Sequence, residues 1–185
     1  MNHYANAISA ATAAGLSRIL FTSIVDVDPE SPFHFAPVYR GAERRSAASG
    51  IPSTIVRCGL CSDFILAHWL KPSVKSGKVL LAAGQGLVAP ISRDDVATAI
   101  VAIASQPEMR GPSSIITGYQ ALTLDAIVAA FSEVAGLPIR YSAANMSDYL
   151  AWAWAHLDDP LASRLFDVVC VDRQRAIRPC LERRR

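Results

Sequence analysis

The sequence predicts an α/β fold with a Rossmann-like parallel sheet and flanking helices, and three observations support this prediction. Apolar runs of strand length alternate along the chain with amphipathic segments of helix length. The connections between them are short, which favours parallel strands with helical crossovers. The apolar run that ends at Arg57 breaks at Gly59 and then turns helical, as a strand, a tight turn and a helix start would.

The first half of the chain predicts two helices and two buried strands in alternation. Gly15 and Gly50 end the two helical patterns, and Pro37 suits the first turn of the second. The acidic, proline-containing stretch 26–35 predicts a loop that forms one wall of a site. The predicted elements are a helix over 3–14, a strand over 18–25, a helix over 37–49 and the central strand over 53–57.

The second half continues the alternation with shorter strands. Ser92 and Asp95 form a capping box, Thr123 caps a second helix, and Pro72 kinks or shortens the helix that follows the turn. The predicted helices cover 63–76, 93–106, 124–135 and one or two stretches within 147–171. The predicted strands cover 78–82, 113–117 and 139–141.

Composition and charge narrow the class of protein. The chain has 185 residues, of which 51% are hydrophobic and 18% charged, enough for one buried domain or part of a larger one. No apolar run is long enough to span a membrane, and residues 1–6 do not resemble a secretion signal, so we expect a cytoplasmic protein. The formal charge of +2 combines +5 in residues 173–185 with −3 elsewhere. This pattern predicts a solvated basic tail, and nucleic-acid binding is disfavoured.

The segment from Gly84 to Ala89 matches the dinucleotide pattern G-x-G-x-x-G/A, but its context argues against that function. The pattern requires a helix directly after the glycines, whereas Pro90 interrupts the segment and helical periodicity begins only at Arg93. A plain turn is therefore predicted here.

The pair Cys58 and Cys61 lies between a strand and a helix, the arrangement in which thioredoxin-like proteins activate a thiol. The order of strands before it differs from such a domain, so buried, unreactive thiols are favoured and a dithiol function stays open. The other two cysteines and the four histidines show no metal-ligand spacing, and no metal site is predicted.

Ser23, Tyr39 and Glu43 form the last candidate cluster. A strand-end serine followed by a tyrosine resembles the proton relay of short-chain dehydrogenases, in which a lysine four residues after the tyrosine lowers its pKa. Glu43 stands in the place of that lysine and is expected to raise the pKa of Tyr39. Tyr39 is thus the candidate catalytic residue, with a predicted role in shaping or closing the site.

The order of these pieces over about residues 2–150 resembles the NmrA-like, atypical short-chain dehydrogenase family, and within it the NAD(P)H-dependent quinone reductases. Each matching stretch is short, and their order makes the set specific. They are Asn6-Ala7-Ile8 to Ala14-Gly15, Ile19-Leu20-Phe21-Thr22-Ser23, Ser31-Pro32-Phe33, Glu43, Ser49-Gly50-Ile51-Pro52, Thr54-Ile55-Val56-Arg57-Cys58-Gly59, Ala82-Ala83-Gly84-Gln85-Gly86, Ala89-Pro90-Ile91-Ser92-Arg93-Asp94-Asp95 and Thr117-Gly118 to Leu122-Thr123-Leu124.

This resemblance implies NADP or NAD as cofactor, a quinone-like small molecule as hydride acceptor, and a turn after Arg57 that touches the nicotinamide. It also implies the C-terminal half of a Rossmann-like domain over 1–125 and a small, mainly helical substrate-side region over 126–172, whereas the basic tail over 173–185 resembles nothing in the family. The cofactor-binding residues that it implies are Thr22, Ser23, Cys58, Gly59, Leu60, Cys61, Ser62 and Asp63.

Two departures from the family pattern accompany the resemblance. Family members begin with a strand and a glycine-rich phosphate loop, whereas Met1 here falls in the helix that follows them, so the expected fold is incomplete at its N-terminus. The chain alone is therefore expected to bind dinucleotide weakly or not at all. The turn also lacks the family's asparagine and aromatic pair, since Cys58, Leu60 and Cys61 replace them.

Two other functions stay open at this point. One is a non-enzymatic NmrA-like sensor or interaction module, which would form a homo-oligomer or bind a protein partner through the open edge of the sheet. The other is a dithiol redox protein that uses Cys58 and Cys61.

Overall fold

The computed structural model describes residues 3–31, 33–145, 147–149 and 151–152. The helices are α1 (His3–Ala13), α2 (Ala36–Ala48), α3 (Ser62–Ile65), α4 (Lys71–Ser73), α5 (Arg93–Ser105) and α6 (Leu124–Ala135). A π-helical turn, Leu66–Leu70, joins α3 to α4, and a 3₁₀ turn, Pro107–Met109, follows α5. The strands are β1 (Ile19–Ile24), β2 (Ser53–Cys58), β3 (Lys78–Leu81), β4 (Leu87–Val88), β5 (Ser113–Ile116), β6 (Leu122–Thr123) and β7 (Arg140–Ala143).

The central sheet has three parallel strands in the order β1-β2-β5. Ser23 on β1 is the register partner of Arg57 on β2, which in turn pairs with Ile115 on β5. Parallel strands end at the same edge of a sheet, so the residues after Ile24, Cys58 and Ile116 meet there. This arrangement confirms the predicted Rossmann-like sheet with flanking helices.

Two small sheets lie beside the central one. β3 and β7 pair in parallel, and both correspond to strands predicted from the sequence. β4 and β6 form an antiparallel pair, and neither of these strands was predicted. β4 and β6 have only two residues each, too few to show a period of two. No helix follows Gly86 directly, because β4 begins at Leu87 and α5 only at Arg93. The plain turn predicted at this point is therefore confirmed.

The helix predicted over 63–76 is shorter and irregular. It consists of α3, the π-helical turn and α4, and it ends at Ser73. The Lys71 N–H donates to the Leu66 carbonyl, five residues back, where an α-helix would use the fourth. Pro72 has no N–H to continue the ladder, which agrees with the predicted early end.

Helix boundaries follow local signals closely. The Ser92 hydroxyl accepts a hydrogen bond from the Asp95 N–H at 3.0 Å, and the Thr123 hydroxyl accepts one from the Ala126 N–H at 3.2 Å. Both side chains therefore cap their helices as predicted. Gly136 ends α6 in the left-handed conformation, with φ of 64°.

The main cluster of buried side chains lies around the helical segment 62–73, β3, α6 and β7. Burying each large apolar side chain contributes roughly 1.5–3 kcal/mol, so this cluster fixes the segment that directly follows the turn. Its members are Ile65, Trp69, Leu70, Val79, Leu81, Leu124, Val128, Ile139 and Tyr149.

Several sequence predictions lie outside the described residues. These are the helices expected beyond residue 152, residues 153–172 of the predicted region 126–172, and the basic tail 173–185. Among the residues that the structure describes, no helix has the length and apolar character needed to cross a membrane.

Candidate nicotinamide-side site

The turn after β2 is held by main-chain hydrogen bonds to two other segments. The Gly59 N–H donates to the Ile116 carbonyl at 2.8 Å, which ties the turn to the end of β5. The Ile91 N–H donates to the Leu60 carbonyl at 3.1 Å, and the Ser62 N–H donates to the Ile91 carbonyl at 2.9 Å. These bonds use backbone atoms, so they hold the shape of the turn whatever side chains it carries.

Two glycines permit the close approach of these segments. A Cβ added at Gly59 would lie 3.1 Å from the Thr117 Cγ2 atom. At Gly118 an added Cβ would clash with the Pro90 carbonyl oxygen, and the Gly118 N–H donates to the Ala89 carbonyl at 3.1 Å. Residues 58–63, 89–91 and 116–118 therefore form one backbone-bonded unit, called the strapped turn below.

Asp63 connects the strapped turn to α5. Its carboxylate oxygen Oδ2 accepts a hydrogen bond from the Arg93 N–H at 3.0 Å. This hydrogen bond is the main cause that lowers the pKa of Asp63, and its carboxylate is solvent-exposed. The charge lies at the N-terminus of α5, where a carboxylate is favourable.

Ser23, Glu43 and Arg57 form a polar network between β1, α2 and β2. The Ser23 hydroxyl donates to Glu43 Oε1 at 2.6 Å. Arg57 binds the same carboxylate with two nitrogens, Nε to Oε1 at 3.0 Å and Nη2 to Oε2 at 2.6 Å. Partial burial works to raise the pKa of Glu43, but the hydrogen bonds from Arg57 and Ser23 lower it overall.

Tyr39 lies on α2 beside Tyr4, and it is close enough to Cys58 for the two groups to interact electrostatically. Burial raises the pKa of Tyr39 to about 12, with further contributions from a hydrogen bond with Tyr4 and from the charges of Tyr4 and Cys58. The predicted direction of this pKa shift is confirmed. The predicted cause is wrong, because Arg57 pairs with the Glu43 carboxylate and Glu43 does not contribute to the shift.

The two cysteines of the strapped turn are free and half-buried. Burial, and then the neighbouring Cys61, raises the pKa of the Cys58 thiol. A raised pKa reduces the thiolate fraction at neutral pH, so this environment does not activate Cys58 for dithiol chemistry. Within the described ranges, no group of three or more His, Cys, Asp or Glu side chains is arranged to hold a metal ion.

Comparison with curated proteins finds two relatives whose names both describe oxidoreductases. The chain is 32% identical over 163 residues to quinone oxidoreductase 2 of Escherichia coli K12, a match that covers 88% of this chain and 56% of the relative. It is 27% identical over 139 residues to the NAD(P)H azoreductase of Xenophilus azovorans, covering 75% of this chain and 48% of that enzyme. A search against family models found no match.

The solved structures agree with these relatives. The crystal structure of the NADPH-dependent quinone oxidoreductase of Escherichia coli in complex with NADPH superposes with a TM-score of 0.79 and 28% identity. This superposition covers 97% of the present chain and 65% of the solved one. These relatives are consistent with the predicted resemblance to the NmrA-like, atypical short-chain dehydrogenase family. The chain spans about half the length of the curated relatives it matches.

The residues predicted to bind the cofactor differ in their exposure to solvent. Thr22 is exposed near the end of β1, and Asp63 is exposed at the end of the strapped turn. Ser23 is only 3% exposed and donates its hydroxyl to Glu43. The remaining five, Cys58, Gly59, Leu60, Cys61 and Ser62, are partly buried in the strapped turn. Thr22 and Asp63 are therefore open to a ligand, whereas the hydroxyl of Ser23 is buried and occupied.

Sequence reasoning missed two groups of residues that build this candidate site. Arg57 was not recognised as the partner of Glu43, although a serine and an arginine in register on adjacent strands, with a glutamate on the covering helix, would have indicated it. The contact of Gly118 with Pro90 was also missed. It joins residues far apart in the chain, and no local pattern signals it.

Proposed function

We propose that this chain forms the nicotinamide side of an NAD(P)H-binding site in an oxidoreductase that reduces a quinone-like acceptor. The observation that carries the proposal is the strapped turn: a main-chain-bonded loop at the carboxyl edge of a parallel sheet, where ligands of this fold bind. The relatives named quinone oxidoreductase and NAD(P)H azoreductase support it. In the reaction, bound NAD(P)H supplies a hydride, and a quinone that takes this hydride and one proton becomes a hydroquinone.

The residues of this chain would mainly position the reactants. Hydride transfer depends on alignment, which the backbone-bonded strapped turn provides without a conformational search. We assign the cofactor contacts to Thr22 and to Cys58 through Asp63. Ser23 belongs to the same set but must first exchange its hydrogen bond with Glu43. Tyr39, whose pKa of about 12 keeps it protonated at neutral pH, would close the site rather than act as a base.

Protection of Cys58 from a thiol label tests this proposal. NADPH is used at millimolar concentration, because a chain that contacts only the nicotinamide end would bind it weakly. The labelling rate, followed by peptide mass spectrometry, is expected to fall because the nicotinamide would cover the turn. Adenosine 2′,5′-bisphosphate, which carries only the adenosine half, is expected to leave the rate unchanged. Equal labelling rates with and without NADPH would sink the proposal, as would equal protection by both compounds.

A second candidate function rests on the free edge of β1. β1 pairs with β2 on one side, and no strand among the described residues pairs with its other side. Such an edge exposes backbone donors and acceptors that can add a strand from a second copy or from another protein. An interaction module of this kind would form dimers or complexes, and sedimentation showing a stable monomer would count against it.

Two further assignments are part of the same proposal. We place the boundary between the sheet domain and the substrate-side region near residue 125, at the start of α6, which follows the last strand of the central sheet and the short strand β6. We place the protein in the cytoplasm, where a reducing environment would keep Cys58 and Cys61 as thiols.

A further inference from the structure

A cleft of about 330 Å³ opens directly after the strapped turn. Its volume lies at the small end of the range of roughly 300–1,000 Å³ that is usual for small-molecule sites. Its walls come from the helical segment after β2, from the residues before α5 and from α6. The lining residues are Ser62, Asp63, Ile65, Leu66, Leu70, Pro90, Ser92 and Ile127.

The walls of the cleft are apolar. Leu66 is 39% exposed, although Ile65 and Leu70 on the same segment are almost fully buried. Leu66 begins the π-helical turn, in which the Lys71 N–H reaches its carbonyl. Turns of this kind occur often at functional sites. An exposed leucine in a concave apolar wall is stabilised when a ligand removes it from water.

The rim of the cleft carries two polar side chains, Ser92 and Asp63, which already make hydrogen bonds within the protein. The Ser92 hydroxyl accepts from the Asp95 N–H and donates to the Asp95 carboxylate at 2.7 Å, so it is occupied. Asp63 uses Oδ2 to accept from the Arg93 N–H, and an ionised carboxylate has two oxygens, each able to accept. A neutral hydroxyl suits this rim better than an ammonium group, because the walls beside Asp63 are apolar and covering a full charge with them would cost more free energy.

We propose that this cleft binds a small, neutral aromatic alcohol, with its rings against Leu66, Leu70 and Ile127 and its hydroxyl donating to Asp63. A quinone has no donor for this carboxylate, whereas its reduced form has two. The cleft would then retain the reduced product beside the site of its formation. That link alone rests on the proposed function; the binding does not.

Calorimetric titration of the chain without any dinucleotide tests the proposal. 2-Naphthol is the probe, and 2-methoxynaphthalene, which has similar rings and no donor, is the comparison. We expect 2-naphthol to bind at least tenfold more tightly, because a hydrogen bond to a charged acceptor is worth this much. Asp63→Asn keeps an oxygen for the Arg93 N–H but loses the negative charge. This variant is expected to narrow the difference in affinity between 2-naphthol and 2-methoxynaphthalene.

A substitution that fills the cleft provides the second test. Leu66→Trp is expected to abolish binding of 2-naphthol, since the larger side chain occupies the space between the walls. Val101→Trp on α5, at a side chain that is 63% exposed and does not line the cleft, is the control and should bind normally. The proposal is overturned if both probes bind the unmodified chain equally. It is also overturned if Leu66→Trp, shown to be folded by circular dichroism, binds 2-naphthol unchanged.

The outcomes separate this proposal from the proposed function. If NADPH fails to protect Cys58 from the label but 2-naphthol still binds, only the nicotinamide site is contradicted. Intact Cys58 protection with no naphthol binding would contradict only the cleft.

Discussion

The two sides of the turn after β2 are built differently. On one side the backbone of Gly59 and Leu60 is bonded to β5 and to residues 89–91, and Gly118 packs against the Pro90 carbonyl. On the other side Asp63 and Leu66 border an open cleft and remain exposed. The first side holds shape through the main chain, and the second presents side chains to a ligand. Side chains in the turn can therefore change, as they have from the family pattern, without loss of its shape.

Substitution of Gly118 is expected to break the strapped side most severely. In Gly118→Ala the new Cβ meets the Pro90 carbonyl oxygen, a backbone atom that cannot move aside cheaply. Overpacking of this kind costs about 3 kcal/mol of the free energy of unfolding. Gly111→Ala is the matched control, because its Cβ would lie 3.8 Å from the Ser113 oxygen, an ordinary contact. Urea unfolding of both variants checks the expectation, and equal midpoints would contradict it.

The ion pair between Glu43 and Arg57 gives the next largest effect on stability. Glu43→Gln leaves the Arg57 guanidinium without its counter-charge and is expected to cost about 1–2 kcal/mol at pH 7, reduced by the partial exposure of Arg57. The pKa of Glu43 is lowered on folding, so its contribution is present above the unfolded value near 4.3 and is lost as the pH falls through the folded value.

The advantage of the unmodified chain over Glu43→Gln should therefore shrink progressively as the pH of the unfolding experiment falls below the unfolded pKa near 4.3. Glu133→Gln, at an exposed position on α6, is the control and should leave the stability unchanged at either pH. A stability difference for Glu43→Gln that persists undiminished at low pH would show that the ion pair is not its source.

Tyr39 provides a smaller effect with the opposite dependence on pH. Tyr39→Phe removes the half-buried hydroxyl and its interaction with the neighbouring Tyr4, which is expected to cost at most about 1 kcal/mol at neutral pH. The pKa of Tyr39 is raised from 10.0 to about 12, so its contribution is complete below pH 10 and is lost as the pH rises towards 12. The stability of the two proteins should converge over that range in alkaline unfolding. A constant difference between them would contradict this assignment.

The smallest effect concerns the thiols. Because burial raises the pKa of Cys58, its reaction with a maleimide at pH 7 should be slower in the folded chain than in urea. Peptide mass spectrometry of timed samples would measure this rate. Labelling of folded Cys58 as fast as in urea would reopen the dithiol hypothesis.

Local signals predicted most of the fold. The caps at Ser92 and Thr123 and the three strands of the central sheet are set by short stretches of sequence, and the structure has them where predicted. Non-local contacts were not predictable in this way. The pairing of Glu43 with Arg57 depends on strand register, and the closeness of Gly118 to Pro90 depends on how two loops meet. The cleft is likewise bordered by a π-helical turn, which no hydrophobic period in the sequence predicts.

The most direct test of the nicotinamide-side assignment is a titration of the ¹⁵N-labelled chain with reduced nicotinamide mononucleotide, followed by amide chemical shifts. The expected result is that the amides of Cys58 to Asp63 move most, while those on the far end of α6, near Ala135, stay in place. Absence of any shift in the turn at millimolar ligand, or shifts confined to other elements, would contradict the assignment.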